Sequence, residues 1–338
     1  MGRINTLNMT NSVENTYPFV SIVIAMYNEE KHIADCIESL LSQDYPHEKY
    51  EIIVADGYSK DSSRDIVNHF SKDDPRVRLI DNPGRKAPSG FNHGIRASTG
   101  DVIIILGAHS YVKHDFIRKN IEAMKRDNVK CVGGKIINKG KTIFQSLVGV
   151  AMGTPFGMGS APFRYSKTPK YVNTVAFAAY DRTLFDEVGL FDENGKISED
   201  SEFNWRIRQK GHKILFDPDI VSFYYPRDSI KKIMQQFFRY GILRVNMFKK
   251  HLDAIGPLHM LAPALVMVLT LLLIAGIFIP SAFFVAAGIV AMHLLIGMVT
   301  GLTSSKNNRI KAMLLVPVII LVMHISWGTG IWYGFLKK

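Results

Sequence analysis

Apolar and polar positions along the N-terminal third of the chain switch between two periods. Phe19-Val20-Ser21-Ile22-Val23-Ile24-Ala25-Met26 is an almost unbroken apolar, β-branched run, the pattern of a strand buried on both faces. Lys31 to Gln43 follows with Ile33, Cys36, Ile37, Leu40 and Leu41 at helical spacing. The unit then repeats. Tyr50 to Ala55 reads as strand, Ser62 to Phe70 as helix, Val77 to Ile80 as strand, Pro88 to Ala97 as helix and Val102 to Leu106 as strand. Strands alternating with helices imply βαβ crossovers and a mostly parallel sheet in an α/β fold.

Further along, Ser198 to Arg208 predicts an amphipathic helix that ends at Gly211. Phe203 and Ile207, extended by Trp205 and Ile214, supply its apolar face, and Ser198 is its N-cap. Glu199 and Asp200 occupy its first turn, where acids suit the positive end of the helix dipole. Such a pair serves either as a capping feature or as a general base. Phe144 to Phe163 is apolar and interrupted by Gly149, Gly153, Gly157 and Gly159. It suits either the membrane interface or packing inside a folded domain.

The last quarter differs in kind. From Gly256 to Lys338 there is no Asp or Glu, and Leu258–Ile279, Ser281–Leu302 and Ala312–Phe335 are apolar runs. Each is long enough to cross a hydrocarbon core of about 30 Å at about 1.5 Å per residue. The expected organisation is an extension over 1–17, a catalytic domain over 18–228, an interface helix region over 229–255 and a membrane region of three helices over 256–338.

Charge refines that picture. The net charge is +11, but the basic residues are scattered and many flank apolar segments, which points to lipid head groups and away from nucleic acid. Lys249-Lys250-His251 and the Ser304-to-Lys311 loop are basic, as cytoplasmic flanks are, so the catalytic domain is expected to face the cytoplasm. Three spans would leave Lys337-Lys338 outside, against that rule, unless the third segment is re-entrant or lies in the interface. Met1 to Tyr17 has Asn, Thr and Glu where a signal peptide has an apolar core. Cys36 and Cys131 are the only cysteines, as suits free thiols in a reducing compartment.

Ligands of parallel α/β sheets bind beyond the carboxyl ends of the strands. Those positions read Tyr27-Asn28-Glu29-Glu30, Asp56-Gly57-Tyr58-Ser59-Lys60-Asp61-Ser62, Asp81-Asn82-Pro83-Gly84-Arg85-Lys86 and Gly107-Ala108-His109-Ser110, so polar groups converge on one rim. Neither a Gly-x-Gly-x-x-Gly nor a Walker loop is present, which argues against a dehydrogenase or a P-loop site.

These blocks resemble glycosyltransferase family 2, the inverting sugar-nucleotide transferases of GT-A (Rossmann-like) fold. The resemblance covers roughly Phe19 to Tyr240. It is carried by Ser21 to Glu29, the Asp56-to-Ser62 loop, Asn92-His93-Gly94-Ile95 with Gly100-Asp101, Val188 to Glu193, and Glu199-Asp200. Asn82-Pro83-Gly84-Arg85, Ala108-His109 and Val172 to Phe177 look most like membrane-anchored transferases of succinoglycan-type exopolysaccharide assembly.

The resemblance implies roles. Ala25, Tyr27 and Glu29 would line the nucleotide pocket, and Asp56 would accept hydrogen bonds from the base, with Asp61 holding its loop. Asp200 would be the catalytic base and Glu199 its neighbour for placement or charge coupling. Arg85 and Lys86 would add positive charge near the donor phosphates. Gln236, Arg239 and Tyr240 look like a Gln-x-x-Arg-Trp element, with Tyr for Trp, at the acceptor and diphosphate. The family places an Asp-x-Asp after the fourth strand, where this chain has Gly107-Ala108-His109. His109 is left as the ligand for a divalent cation, Mn²⁺ in preference to Mg²⁺. The implied partners are a nucleotide-sugar donor, UDP-linked, a lipid-linked saccharide or polyprenyl acceptor, membrane lipid and a polysaccharide-assembly complex. The alternatives are a polyprenyl-phosphate sugar synthase and a non-catalytic subunit that binds a sugar nucleotide.

Overall fold

The computed structural model describes residues 17–159, 161–194, 198–254, 256–305 and 308–337. Except for Tyr17, the expected extension over 1–17 lies outside them, as do Lys306 and Asn307 of the basic loop and the terminal Lys338.

The alternation read from the sequence builds one half of a mixed sheet. β1 (Val20–Met26), β2 (Tyr50–Asp56), β3 (Val77–Asp81) and β4 (Val102–Gly107) alternate with α1 (Ile33–Leu41), α2 (Ser63–Asp73) and α3 (Ala87–Ala97). The four strands pair in parallel in the order β3-β2-β1-β4. Every residue of β2 is buried, as expected of a strand covered on both faces. The register sets Met26 opposite Asp56 and Ala25 opposite Gly107, so the rim loops leave the sheet at one level.

Of the other half, the pattern predicts only the helix that carries Glu199 and Asp200. β5 (Ser110–Val112), α4 (Phe116–Asp127), β6 (Cys131–Asn138), α5 (Ile143–Met152), α6 (Pro155–Met158), β7 (Lys170–Tyr171), β8 (Ala179–Asp181), α7 (Thr183–Val188), α8 (Glu199–Gln209) and β9 (Ile214–Tyr224) complete the domain. The sheet continues from β4 through β8, β6 and β9 to β5, and β7 pairs with β9. β8 runs antiparallel to both β4 and β6, which makes this half mixed, whereas the expectation was a mostly parallel sheet. β5, β7 and β8, of three, two and three residues, carry too few to show a period. Ile214, expected on the amphipathic helix, belongs to β9.

Two apolar cores cover the sheet, one on each face. Phe203 and Ile207 of α8 are fully buried in the second. The Phe203 ring stacks on Phe185 at 5.0 Å and meets Phe191 at 4.6 Å. Asn92 clamps the loop ahead of α8: its side chain donates to Phe191 O and Glu193 Oε1 and accepts from Phe191 N, all within 2.9 Å. Two blocks of the family pattern therefore meet in space to brace a third.

A third core joins the catalytic domain to the apolar tail. α9 (Ile230–Lys250) leads to α10 (Pro257–Gly276), α11 (Ser281–Ser304) and α12 (Arg309–Leu336), of which the last three are long and apolar enough to cross a membrane. Leu147 and Val148 of α5, Ile233 and Phe237 of α9, and Ala312 to Met323 of α12 pack together. α9 and α12 lie side by side in the same direction. Gly241 faces Trp327, Gly330 and Ile331, Val245 faces Gly334, and Lys249 Nζ donates to Gly334 O and Lys337 O at 3.0 Å each. A Cβ at Gly241 would sit 2.5 Å from Trp327 O, and one at Gly330 would sit 2.2 Å from Phe238 O, so the backbones approach as small residues permit in membranes.

α10 is joined to this pair through its proline. Pro263 has no N–H, which leaves His259 O without its intrahelical donor. Trp327 Nε1 donates to that oxygen at 3.3 Å and Trp332 Nε1 to Pro263 O at 2.9 Å, meeting the need of a buried carbonyl in lipid.

Replacing Gly241 with Leu is expected to lower stability by about 1–3 kcal/mol, the cost of overpacking, read as a drop in melting temperature in detergent. Gly288→Leu, on α11 with nothing within 4 Å of its added Cβ, is expected to leave it unchanged.

Candidate active site

A cleft of about 810 Å³ lies beyond the carboxyl ends of β1 and β4, between the sheet and α9. Ala25, Tyr27 and Glu29 form its wall after β1, and Arg85 and Lys86 contribute after β3. The rim loops are laced together. Asn28, at φ +54°, takes Ser59 Oγ through its N–H at 2.9 Å and accepts from Lys60 N at 2.8 Å. The Arg85 guanidinium sits 5.1 Å from the Tyr58 ring centre. Asp61 accepts from Ser63 and from Glu30 N and so holds its loop.

Asp56 departs from expectation. It is 0% exposed and does not line the cleft. Its carboxylate accepts from Ser59 Oγ at 2.6 Å and pairs with Arg64 at 2.8 Å. A carboxylate already engaged by a guanidinium and a hydroxyl braces the loop; it is not placed to receive a base.

His109 faces the cleft with Nδ1 3.1 Å from Glu29 Oε1 and its ring 5.2 Å from Tyr224. A carboxylate on one ring nitrogen fixes the tautomer and turns the other nitrogen outward, the arrangement common behind metal-bound histidines. Among the described residues no three His, Cys, Asp or Glu side chains converge on a metal position, so a cation here needs oxygens from a bound diphosphate. The position of the missing acid is closely bounded. A Cβ at Gly107 would lie 3.2 Å from Phe177 Cε1 and 3.7 Å from His109 Cε1, so a side chain there would need the Phe177 ring to shift.

Glu199 and Asp200 enter from the opposite side, at the N-terminus of α8. Ser198 Oγ donates to Asp200 Oδ1 at 2.9 Å and Ser201 N donates to the same oxygen at 2.7 Å. Ser198 thus orients the acid and does not cap the helix through its side chain. Burial, and next the charge of Asp200, push the Glu199 carboxyl up to about 7 against the opposing pull of Arg239.

α8 is anchored behind this pair. Glu202, 1% exposed, receives Arg206, Lys250 and His251. Burial alone would push its carboxyl up, but hydrogen bonds from Arg206 and Lys250 outweigh that and pull it down. Trp205 stacks on His251 at 3.6 Å and donates to Asp253 at 2.8 Å. The end of α9 is therefore tied to the helix that carries the acids.

α9 itself forms the far wall. Gln236 Nε2 donates to Tyr224 OH at 3.1 Å and Tyr240 OH at 3.0 Å, and Arg239 lines the cleft beside them. Burial pushes the Tyr240 hydroxyl up to about 12. Arg164, Arg227, Lys232 and Arg244 also line the cleft and were not anticipated. Arg244 continues the helical spacing of Gln236 and Tyr240, a signal the sequence does contain; Arg164 lies one residue past the glycine-rich segment and carries no pattern. Burial holds Arg164 and Arg244 below the ordinary guanidinium range, against the attraction of Asp200. Cations thus outnumber the cleft carboxylates, Glu29, Glu199 and Asp200, which suits a polyanionic ligand.

Residues 21–189 match the family model for glycosyl transferase family 2. The chain belongs to that family. This glycosyltransferase is 33% identical over 327 residues to the dolichyl N-acetyl-alpha-D-glucosaminyl phosphate 3-beta-D-2,3-diacetamido-2,3-dideoxy-beta-D-glucuronosyltransferase of Methanococcus voltae, covering 94% of this chain and 98% of that one. It is 27% identical over 321 residues to the succinoglycan biosynthesis protein ExoA of Rhizobium meliloti (strain 1021), covering 93% and 94%. Among solved structures, the mannosyltransferase PcManGT of Pyrobaculum calidifontis, in complex with GDP-Man and Mn²⁺, superposes with a TM-score of 0.59 at 18% identity, covering 93% of this chain and 88% of that one. That likeness concerns the fold. The family 2 transferase has a GT-A α/β domain followed by three long apolar helices.

Glu199 provides a test of the site's electrostatics. Its folded carboxyl is raised from the ordinary value of 4.5 to about 7, so its stabilising contribution is complete below the unfolded value and is lost as pH rises through the folded one. The melting temperature of the wild type is expected to fall across that window relative to Glu199→Gln; parallel curves would refute the assignment.

Proposed function

We propose that this glycosyltransferase is inverting and moves a sugar from a UDP-linked donor onto a lipid-linked acceptor in surface polysaccharide or glycan assembly. The observation that carries the reading is the acid pair on α8 facing a cation-lined cleft whose far wall, α9, is packed along an apolar helix. The relatives' names support the acceptor class, one acting on a dolichyl-phosphate-linked sugar and one in succinoglycan biosynthesis.

In this reading Asp200 takes the proton of the acceptor hydroxyl through Oδ2. The hydroxyl oxygen bonds to the anomeric carbon from one face as the nucleoside diphosphate leaves from the other, which inverts the configuration. Hydrogen bonds from Ser198 and Ser201 hold the carboxylate of Asp200 in place. Burial and the charge of Asp200 raise the Glu199 carboxyl to about 7, so it carries less negative charge beside Asp200, as paired acids with divergent environments do. Arg85, Lys86 and Arg239 offer positive charge to the departing diphosphate, and Ala25 and Tyr27 line the nucleotide pocket. Gln236 fixes Tyr240 as an aromatic platform for the acceptor. A divalent cation, Mn²⁺ before Mg²⁺, would be held by His109 with Glu29 behind it and would neutralise diphosphate charge.

The working division is a catalytic domain over 18–228, an interface region over 229–255 and a membrane region over 256–338, with the catalytic domain facing the cytoplasm. α10 and α11 cross the membrane and return. α12 lies along the interface, because its first half packs on α5 of the catalytic domain and its second half beside α9, whose two ends also contact that domain, through Lys232 in the cleft and Lys250 at Glu202. Two crossings leave the C-terminal lysines on the same side as Lys249 and Lys250, in keeping with the positive-inside rule. A fluorescent-protein fusion at the C-terminus is expected to fluoresce and an alkaline-phosphatase fusion to stay inactive; the opposite pair of results means three crossings.

Activity is tested with purified protein in lipid bilayers, UDP-sugars and a membrane lipid extract. Asp200→Asn is expected to lower kcat by about a hundred-fold or more, the scale of a lost general base. His109→Ala is expected to remove the Mn²⁺ dependence of UDP release. A monosaccharide phospholipid as the product, in place of an extended lipid-linked saccharide, would identify a polyprenyl-phosphate sugar synthase. Nucleotide binding without turnover of any donor would identify a non-catalytic subunit.

A further inference from the structure

A second cavity of about 230 Å³ opens beside the cleft, between β6, α5 and the last residue of α11. Ile136 and Arg164 line both spaces, so the Arg164 side chain forms part of the partition. Among the described residues the side cavity carries Lys135 and Arg164 and no carboxylate. α5, which forms one of its walls, packs its apolar residues on α12. Ser304, also in its lining, ends an apolar helix long enough to cross a membrane, at the depth where lipid head groups begin.

Arg164 is incompletely satisfied at this partition. Nη1 donates to Asn138 Oδ1 at 3.0 Å, the rings of Phe163 and Tyr224 lie 5.6 and 5.7 Å from the guanidinium carbon, and Nε is buried with no hydrogen-bond partner. No carboxylate among the described residues forms an ion pair with it. A guanidinium keeps its charge at any accessible pH and matches phosphate through its planar fork. Buried charge without a counter-ion is unfavourable, so the arrangement suits an anion brought by a ligand.

We propose that Arg164 seats the phosphate of a polyprenyl-type lipid acceptor, which enters through the side cavity and leaves its saccharide beside Asp200. This rests on the glycosyltransferase reading above and names where the acceptor's charge is held. A nucleotide donor also carries phosphate, and Arg164 stands near its side of the cleft: the guanidinium carbon lies 5.7 Å from the Tyr224 ring, which lies 5.2 Å from that of His109. The second cavity, which Arg164 lines and His109 does not, favours the lipid as the source, and the UDP arm of the experiment separates the two. The attraction between Arg164 and Asp200 fits an acceptor phosphate on the base's side of the cleft.

The experiment measures affinities of the full chain in phosphatidylcholine nanodiscs for three probes: a polyprenyl monophosphate, the matching polyprenol, and UDP. Wild type is expected to bind the phosphate form and not the alcohol. Arg164→Met is expected to weaken polyprenyl phosphate about tenfold or more, the scale of a lost charge-assisted hydrogen bond, with UDP affinity held within about twofold. Arg164→Lys, which keeps the charge and loses the fork, should fall between. Ser146→Phe, which fills the side cavity from α5 and does not line the main cleft, should weaken the lipid probe alone. This second variant keeps the question answerable if Arg164→Met yields no folded protein. Unchanged lipid affinity in Arg164→Met and Ser146→Phe, or equal wild-type binding of phosphate and alcohol, overturns the proposal. Loss of UDP binding in Arg164→Met overturns it in favour of a donor-phosphate role. Donor turnover and its loss in Asp200→Asn report separately on the transferase reading, so either inference can fail alone.

Discussion

α9 has to satisfy two surroundings at once, and much of the site depends on how it does so. One face meets α12 through Gly241, Gly330 and Gly334, where added Cβ atoms would clash with the opposing helix. The other face presents Gln236, Arg239, Tyr240 and Arg244 to the cleft. Close backbone approach on the first face limits where the second can sit. Because α9 is also tied to α8 through Lys250, His251 and Glu202, the membrane-facing helices and the acid pair belong to one connected framework.

Electrostatics within that framework is uneven by design of the packing. Carboxylates that hold structure, such as Asp56 and Glu202, are matched to guanidinium or ammonium partners. Glu199 and Asp200 have no ion-pair partner at such distances among the described residues, and Glu199 is displaced toward neutrality. Acids without ion-pair partners facing a cleft rich in guanidinium groups form a site ready for a substrate that carries both a reactive hydroxyl and phosphate charge. Such a site costs stability, which the three apolar cores supply elsewhere.

Several motif residues turned out to be structural partners of the chemistry. Asn92 belongs to a block that carries the family resemblance, yet its bonds go to Phe191 and Glu193, in the loop ahead of the acid pair. Asp56 and Asp61 hold the rim loop that keeps Asn28 in its left-handed conformation beside Tyr27. Gly107 stands where an acid is usual, and Phe177, from a segment seventy residues on, lies close against it. Resemblance locates such positions, but only neighbours distant in sequence show what each one touches.

The sequence by itself determined the alternating strands and helices of β1 through β4, the helix bearing Glu199 and Asp200, and the apolar tail, because each is long enough to display a period or an unbroken hydrophobic run. It also placed Glu29, His109, Arg85, Lys86, Gln236, Arg239 and Tyr240 in an order that the fold gathers around one cleft. Tertiary structure decided the mixed half of the sheet, where β5, β7 and β8 are too short for periodicity and β6 pairs with β9 across a break in register at Gly134. It decided the burial of Asp56 beneath Arg64 and the entry of Arg164 and Arg244 into the cleft. It also decided the side-by-side course of α9 and α12, since hydropathy records that a helix prefers lipid and not the direction in which it lies.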